Sequence, residues 1–218
     1  MELMMRYRKA VDELFEKVRN TQTENIVNAG EMIAESVSKG GKIILSDICH
    51  SIENDLIYRG GGPIFYKHYD ESIHKDTLKE GDVLVVSSVS GRTKKVVDLA
   101  WEMVERGVKV IAFTSMAYAV QVDAVHESGK KLYEFATLTM DNCAPAAEAM
   151  MEVEGIEARF AAASGIASDY IMWQITSVAV EKLLAMGITP GILKSANFPG
   201  GNDYNKQVVE PNFEKYGY

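Results

Sequence analysis

Apolar positions recur along this chain with a period that changes, and each change marks an element. Tyr7, Val11, Leu14 and Val18 fall at helical spacing, as do Ile26, Ala29, Ile33 and Val37. The first forty residues therefore read as two helices, or one broken helix. Thr21 and Glu24 have the spacing of a capping box opening the second, and Gly40-Gly41 ends it. The period then shortens. Lys42-Ile43-Ile44-Leu45 reads as a buried strand, a helix is expected from about His50 to Arg59, and Gly60-Gly61-Gly62 forms a turn before a second strand at Pro63 to Tyr66. Asp82-Val83-Leu84-Val85-Val86 is the clearest strand, because runs of Val and Leu suit a sheet buried on both faces. A helix from Thr93 to Glu105 closes at Gly107, and the next strand is Val108 to Phe113. Another strand lies within Leu132 to Met140, and a long helix runs from about Ser164 to Met186. Ala144 to Ala163 fits either a helix or a functional loop.

Strands alternating with helices predict a parallel sheet covered by helices on both faces. The length of 218 residues suits one α/β domain: helices in 1–40 that pack on a body formed by 41–218. The longest apolar stretch, Ile166 to Leu184, is interrupted by Asp169, Gln174, Glu181 and Lys182, which makes it a core helix and not a membrane span. Charge narrows the partners. The net charge is −8 and no basic stripe stands out, so nucleic acid and anionic membranes are poor partners. Cys49 and Cys143 belong to no C-x-x-C pair, and the N-terminus lacks the pattern of a secretory signal, so a reducing cytoplasm is expected. His50, His68, His74 and His126 show no metal-ligand spacing, and no metal or organic cofactor is expected.

Ligands in parallel α/β sheets bind beyond the carboxyl ends of strands. The best strand here runs into Ser87-Ser88-Val89-Ser90-Gly91-Arg92-Thr93, and a helix follows at once. Gly91 permits a tight turn and close approach of a ligand. The first N–H groups of the helix and its dipole favour an anion at the same spot. Ser88, Ser90 and Thr93 add hydroxyl donors, so a phosphate suits the turn. An ordinary helix cap would need only one of these hydroxyls. The nucleotide motifs G-x-G-x-x-G and G-x-x-x-x-G-K-[ST] are absent, as is the G-x-S-x-G elbow of serine hydrolases.

S-x-S-G-x-T after a Val-rich strand, followed by Val110-Ile111-Ala112-Phe113-Thr114-Ser115, resembles the SIS (sugar isomerase) domain. The segment His126 to Glu134, Asp141-Asn142-Cys143 with Pro145, Glu152-Val153-Glu154-Gly155, and Ser195-Ala196-Asn197 with Gly200-Gly201 and Asn205 resemble bacterial single-SIS-domain proteins. The resemblance runs from about residue 20 to near the end. It implies a three-layer αβα sandwich with a mainly parallel five-stranded, flavodoxin-like sheet, a homodimer, and binding of a sugar phosphate as aldose–ketose isomerase or as non-catalytic sensor. By that resemblance Ser88, Ser90 and Thr93 hold the phosphate, with Ser87 and Gly91 in the same turn. The first loop departs from the group's G-S-G-H-S-H pattern. Leu45-Ser46-Asp47-Ile48-Cys49-His50 keeps Ser46, which the resemblance adds to the phosphate-binding residues, and His50, but has lost both glycines.

Isomerisation through an enediol(ate) needs a base for a carbon-bound proton. Asp55, Glu148 and Glu152 are the candidates, and the choice among them stays open. His50, beyond a strand end, and His126, in a family-like segment, are candidates to assist ring opening. An enzyme is favoured by the N-terminal segment, too short for a DNA-binding domain. A sensor is favoured by the missing glycines.

Overall fold

A computed structural model describes residues 1–218. Helix α1, Glu2–Ser38, is continuous for 37 residues, about 55 Å at 1.5 Å per residue. The two apolar registers thus belong to one helix, and the expected cap at Thr21 is absent. Its hydroxyl instead donates to the Lys17 carbonyl one turn back, at 2.8 Å. A mid-helix threonine often bonds this way.

Strands β1 (Ile43–Ser46), β2 (Tyr66–His68), β3 (Val83–Ser87), β4 (Lys109–Thr114) and β5 (Leu138–Asp141) form one parallel sheet in the order β2-β1-β3-β4-β5. Successive residues face opposite sides, as the pleat requires. Ile43, Leu45, Val83, Val85, Ile111, Phe113 and Met140 enter a core shared with α1 and with α5, Ser164–Ala185. Ile44, Leu84, Val86, Val110 and Ala112 pack under α3, Lys94–Glu105, against Val97, Ala100 and Met103. The architecture is the three-layer sandwich with α1 joined to it. Gly30 lets α1 and α5 approach closely: a Cβ there would lie 2.5 Å from the Val178 Cβ and 2.9 Å from the Ile175 carbonyl oxygen.

Four stretches differ from the expected pattern. The helix over His50 to Arg59 shrinks to a single 3-10 turn at Ile52–Asp55, because the residues before it take left-handed backbone angles that no right-handed helix can include. The second strand begins where it was expected to end, at Tyr66, and Pro63 makes only an isolated bridge to Ile192. The polar stretch around His74 forms a short helix, α2 (Glu71–Thr77), capped by the Asp70 side chain on the Ser72 N–H. Residues between Ala144 and Ala163 form an antiparallel hairpin, β6 (Ala149–Val153) and β7 (Ile156–Ala162), turning at Glu154-Gly155.

The remaining helices are short. α4, Met116–Ala119, follows β4. The chain beyond α5 returns to the triglycine turn, where Gly61 N–H donates to the Leu193 carbonyl, and ends in α6 (Gly201–Tyr204), a π-helical turn and α7 (Glu210–Tyr216). No helix is long and apolar enough to cross a membrane.

Candidate functional site

In a 2-1-3-4-5 parallel sheet, the connections leave β1 and β3 in opposite directions and open a crevice between their carboxyl ends. A cleft of about 300 Å³ lies there. The turn after β3 supplies Ser87, Ser88, Ser90 and Thr93, and the loop after β1 supplies Asp47, Cys49 and His50. Tyr118 of α4 and Glu148 close the cleft from the β4 and β5 side.

The β3 turn is built by its own backbone. Gly91 N–H donates to the Ser88 carbonyl at 2.8 Å, and Gly91 takes φ +68°. A Cβ at Gly91 would meet Ala119 at 3.2 Å and the Thr114 hydroxyl at 3.3 Å, so another residue there is crowded as well as strained in its backbone angle. Ser88 Oγ lies 2.9 Å from Thr93 Oγ1 and accepts the Thr93 N–H at 3.2 Å. Thr93 is the N-cap of α3, yet its side chain does not cap the helix. The backbone N–H groups of Ser90, Arg92, Lys94 and Lys95 make no hydrogen bond within the chain. Orphan donors at a helix N-terminus, with its dipole behind them, form an anion site.

The β1 loop is held in a costly conformation. Asp47, Cys49, His50 and Ser51 have φ of +36°, +40°, +68° and +71°. Each non-glycine residue in that region costs on the order of 1–3 kcal/mol. Buried acceptors hold the loop there. Glu53 Oε2 accepts the Ile48 N–H at 2.9 Å, and Ser87 Oγ accepts the Cys49 N–H at 2.9 Å. The Cys49 thiol sits among Ser87 at 3.1 Å, Ser168 at 3.0 Å and Asn142 at 3.8 Å, and burial pushes its pKa up. A buried, protonated thiol is a packing group and not a nucleophile.

Glu148 is placed by the Asp141-Asn142-Cys143 stretch. Asp141 Oδ1 accepts the N–H groups of Met116 at 3.1 Å and Cys143 at 2.9 Å, tying α4 to this segment. Asn142 Oδ1 accepts the Ala144 N–H at 3.1 Å, and Ser115 donates to the Ala144 carbonyl at 2.6 Å. Glu148 itself takes φ +74°. Its carboxylate accepts the hydroxyl of Ser164, the first residue of α5, and lies 3.5 Å from His50 Nε2. The carboxylate is about one quarter exposed and the imidazole about three quarters, so the pair opens to solvent at the cleft.

The sequence candidates thus divide. Ser88, Ser90, Thr93, His50 and Glu148 converge on the cleft. Ser87 lines it too, but its hydroxyl is engaged with Cys49. Ser46 lies in an adjoining lobe. Asp55 is exposed and paired with Arg59, outside the cleft. Glu152 lies on β6, 3.8 Å from Arg159, in a groove against the start of α1. His126 is buried behind α3, edge-on to Trp101 and Phe135, with Nδ1 2.7 Å from the Ser128 hydroxyl and Nε2 3.0 Å from Asp98 in poor hydrogen-bond alignment. The segment around Asn197 to Asn205 folds on itself, Asn205 bonding both backbone groups of Lys194 at 2.8 Å. Tyr118 and Lys95 line the cleft although sequence reasoning named neither. Their signal was positional: both stand just past the carboxyl end of a strand. No group of three His, Cys, Asp or Glu residues is placed to hold a metal ion.

Comparison with known proteins bears on this geometry. The SIS domain profile matches residues 65–115, from β2 to just past β4. A UPF0309 protein of Listeria monocytogenes is 32% identical over 215 residues, covering 91% of this chain and 92% of its own length. A UPF0309 protein of Streptomyces avermitilis is 31% identical over 224 residues, covering 90% and 89%. Among solved structures, phosphoheptose isomerase of Neisseria gonorrhoeae superposes with a TM-score of 0.53 at 16% identity, covering 82% of this chain and 95% of that one. The NanR protein of Vibrio vulnificus complexed with ManNAc-6P gives 0.53 at 14% identity, covering 100% and 71%. At such identities the likeness is one of fold.

Proposed function

The chain belongs to the UPF0309 family and carries a SIS-type domain, and we propose that it binds a sugar phosphate and isomerises it between aldose and ketose forms. The observation that carries the reading is the pairing, across one cleft, of an open nest of N–H and hydroxyl donors with a carboxylate–imidazole pair. Ser90, Thr93 and the free N–H groups of the β3 turn hold the phosphate, and Lys95 offsets its charge. Glu148 is the base. It takes the proton from the carbon next to the carbonyl, the C–H electrons form the C=C bond, and the carbonyl π pair moves to oxygen. His50 or solvent supplies that oxygen with a proton, giving the enediol. Return of the proton to the neighbouring carbon, with loss of the other hydroxyl proton, completes the exchange. His50 also serves ring opening. Glu148 is preferred to Asp55 and Glu152 because it alone of the three lines the cleft.

The first loop favours a second reading, a non-catalytic sensor. Glu148 is tied to Ser164, and Asp47 stands where the resembling proteins have glycine. Solvent deuterium separates the two. An isomerase places deuterium on the carbon next to the carbonyl during incubation, and Glu148→Gln lowers that exchange about a hundred- to ten-thousand-fold. Binding without exchange in the parent protein, across aldose and ketose phosphates, replaces the enzyme by the sensor.

The reading includes a homodimer in a reducing compartment. Two free thiols, both buried, support the compartment. Leu3, Met4 and Tyr7 of α1 and Phe160 and Ala161 of β7 line an open apolar groove of about 360 Å³ that a second copy would cover. Sedimentation at micromolar concentration tests the dimer, and a monomer there rejects it.

A further inference from the structure

Two charged side chains in the cleft, Asp47 and Lys95, have no hydrogen-bond or ion-pair partner anywhere in the chain. Both stand where the cleft opens into a second lobe of about 530 Å³ between α2 and α3. The lobe's other carboxylates are Glu71, Asp98 and Glu102, and each is already opposed by a cation. Glu71 lies 3.5 Å from Lys75, Glu102 2.7 Å from Arg106, and Asp98 2.9 Å from Lys94. Lys94 accordingly holds the Asp98 carboxyl below its usual range. The uncompensated charge at the junction is therefore one carboxylate and one ammonium.

A phosphate on the β3 turn changes that balance. Lys95, in the first turn of α3, is drawn to the phosphate, and Asp47 is left as the one unopposed charge facing the lobe.

We infer, resting on the sugar-phosphate reading above, that the lobe is the distal subsite and Asp47 its specificity-determining residue. The ligand is a monophosphate bearing an amino group on the part that enters the lobe. An ammonium there pairs with Asp47, a neutral hydroxyl gains less, and a second phosphate or a carboxylate is repelled. Asp47 is exposed, so solvent and salt screen the effect, and at most about fivefold is the expected size for one ion pair of this kind.

The test is calorimetric titration of the full chain with glucosamine 6-phosphate, glucose 6-phosphate and fructose 1,6-bisphosphate. The parent protein should bind the amino compound about fivefold more tightly than the neutral one, with the bisphosphate weakest. Asp47→Asn should bring the ratio of the first two to within about twofold. Asp47→Gly, which suits the left-handed backbone, should do the same, so a folding defect in one variant does not decide the matter. Equal affinity for amino and neutral sugars in the parent, or a preference that survives both substitutions, overturns the inference and leaves phosphate binding standing. Failure of the folded parent to bind any of the three removes the phosphate reading and this inference together.

Discussion

The two ends of the sheet are made from the same polar vocabulary and put it to opposite uses. At the amino end, Asp82 is buried and both of its oxygens are occupied: Oδ1 accepts the Lys42 N–H at 2.7 Å and Oδ2 the Lys79 N–H at 3.0 Å. Glu35 binds Lys39 at 2.6 Å and Lys109 at 3.1 Å, and Glu31 binds Lys182 at 2.6 Å. A groove of about 530 Å³ between α1 and α5 at that end is lined by those paired charges. At the carboxyl end, the N–H groups of Ser90, Arg92, Lys94 and Lys95 have no partner, the side chains of Asp47 and Lys95 have none, and seven residues other than glycine, Asp47, Cys49, His50, Ser51, Cys143, Ala147 and Glu148, sit in left-handed backbone. Cavity size does not separate the two ends. What separates them is whether the polar groups are spent on the fold or held available, with strain retained to hold them so.

The largest effect should come from breaking the closed end. Asp82→Ala removes a buried carboxylate that now accepts two backbone N–H groups, those of Lys42 and Lys79. Bonds to charged groups are worth about 1.5–3 kcal/mol each, so a loss of about 3 kcal/mol in unfolding free energy is expected, with ligand affinity retained in the folded fraction. Urea unfolding beside calorimetry reads both quantities. If affinity falls as steeply as stability, the two ends are not separable.

The open end should behave in the reverse sense. Ser90→Ala and Thr93→Val each remove a hydroxyl from the β3 turn, and each should weaken sugar-phosphate binding about ten- to hundred-fold with little change in unfolding. Thr93 contributes no cap bond to α3, which is why its loss is expected to spare the helix. Unchanged affinity in both variants would take the phosphate away from this turn.

This division also explains how much could be read from the sequence. The strands Val83–Ser87 and Lys109–Thr114 and the helix between them were legible because burial on both faces writes itself as an unbroken apolar run. The turn at Ser88–Thr93 was legible because its hydroxyls and Gly91 are local in sequence. The hairpin at Ala149–Ala162 was not: Ile156, Ala158 and Phe160 alternate with Glu157 and Arg159, but β7 is exposed along almost its whole length, so the alternation marks no buried face. The break after β1 was equally hidden, since Asp47, Cys49, His50 and Ser51 carry no glycine to announce their left-handed angles and are held there by Glu53 and by Ser87, which lies 38 positions from Cys49. The partnership of His50 with Glu148 depends on that long-range packing, and spacing alone left Asp55 and Glu152 standing as candidates behind Glu148.

The smallest effect lies at the closed end, where an ion pair is exposed. The hydrogen bond to Lys39, then that to Lys109, holds the Glu35 carboxyl down to about 2 from its ordinary 4.5. A carboxyl whose pKa is lower in the folded than in the unfolded chain stabilises the fold above the unfolded value, and that contribution drains away as pH falls through the folded value. Glu35→Gln should therefore lower the unfolding midpoint slightly at neutral pH. The gap between variant and parent should narrow as pH drops from about 4.5 toward about 2. High salt at neutral pH should narrow it as well, because the pair is solvent-exposed and screened. Sugar-phosphate affinity should not follow either change, since Glu35 lies at the opposite end of the sheet from the β3 turn. A gap independent of pH across that window would mean that the Glu35 carboxylate is not stabilised by its two lysines. A parallel change in affinity would mean that the groove at this end communicates with the cleft at the other.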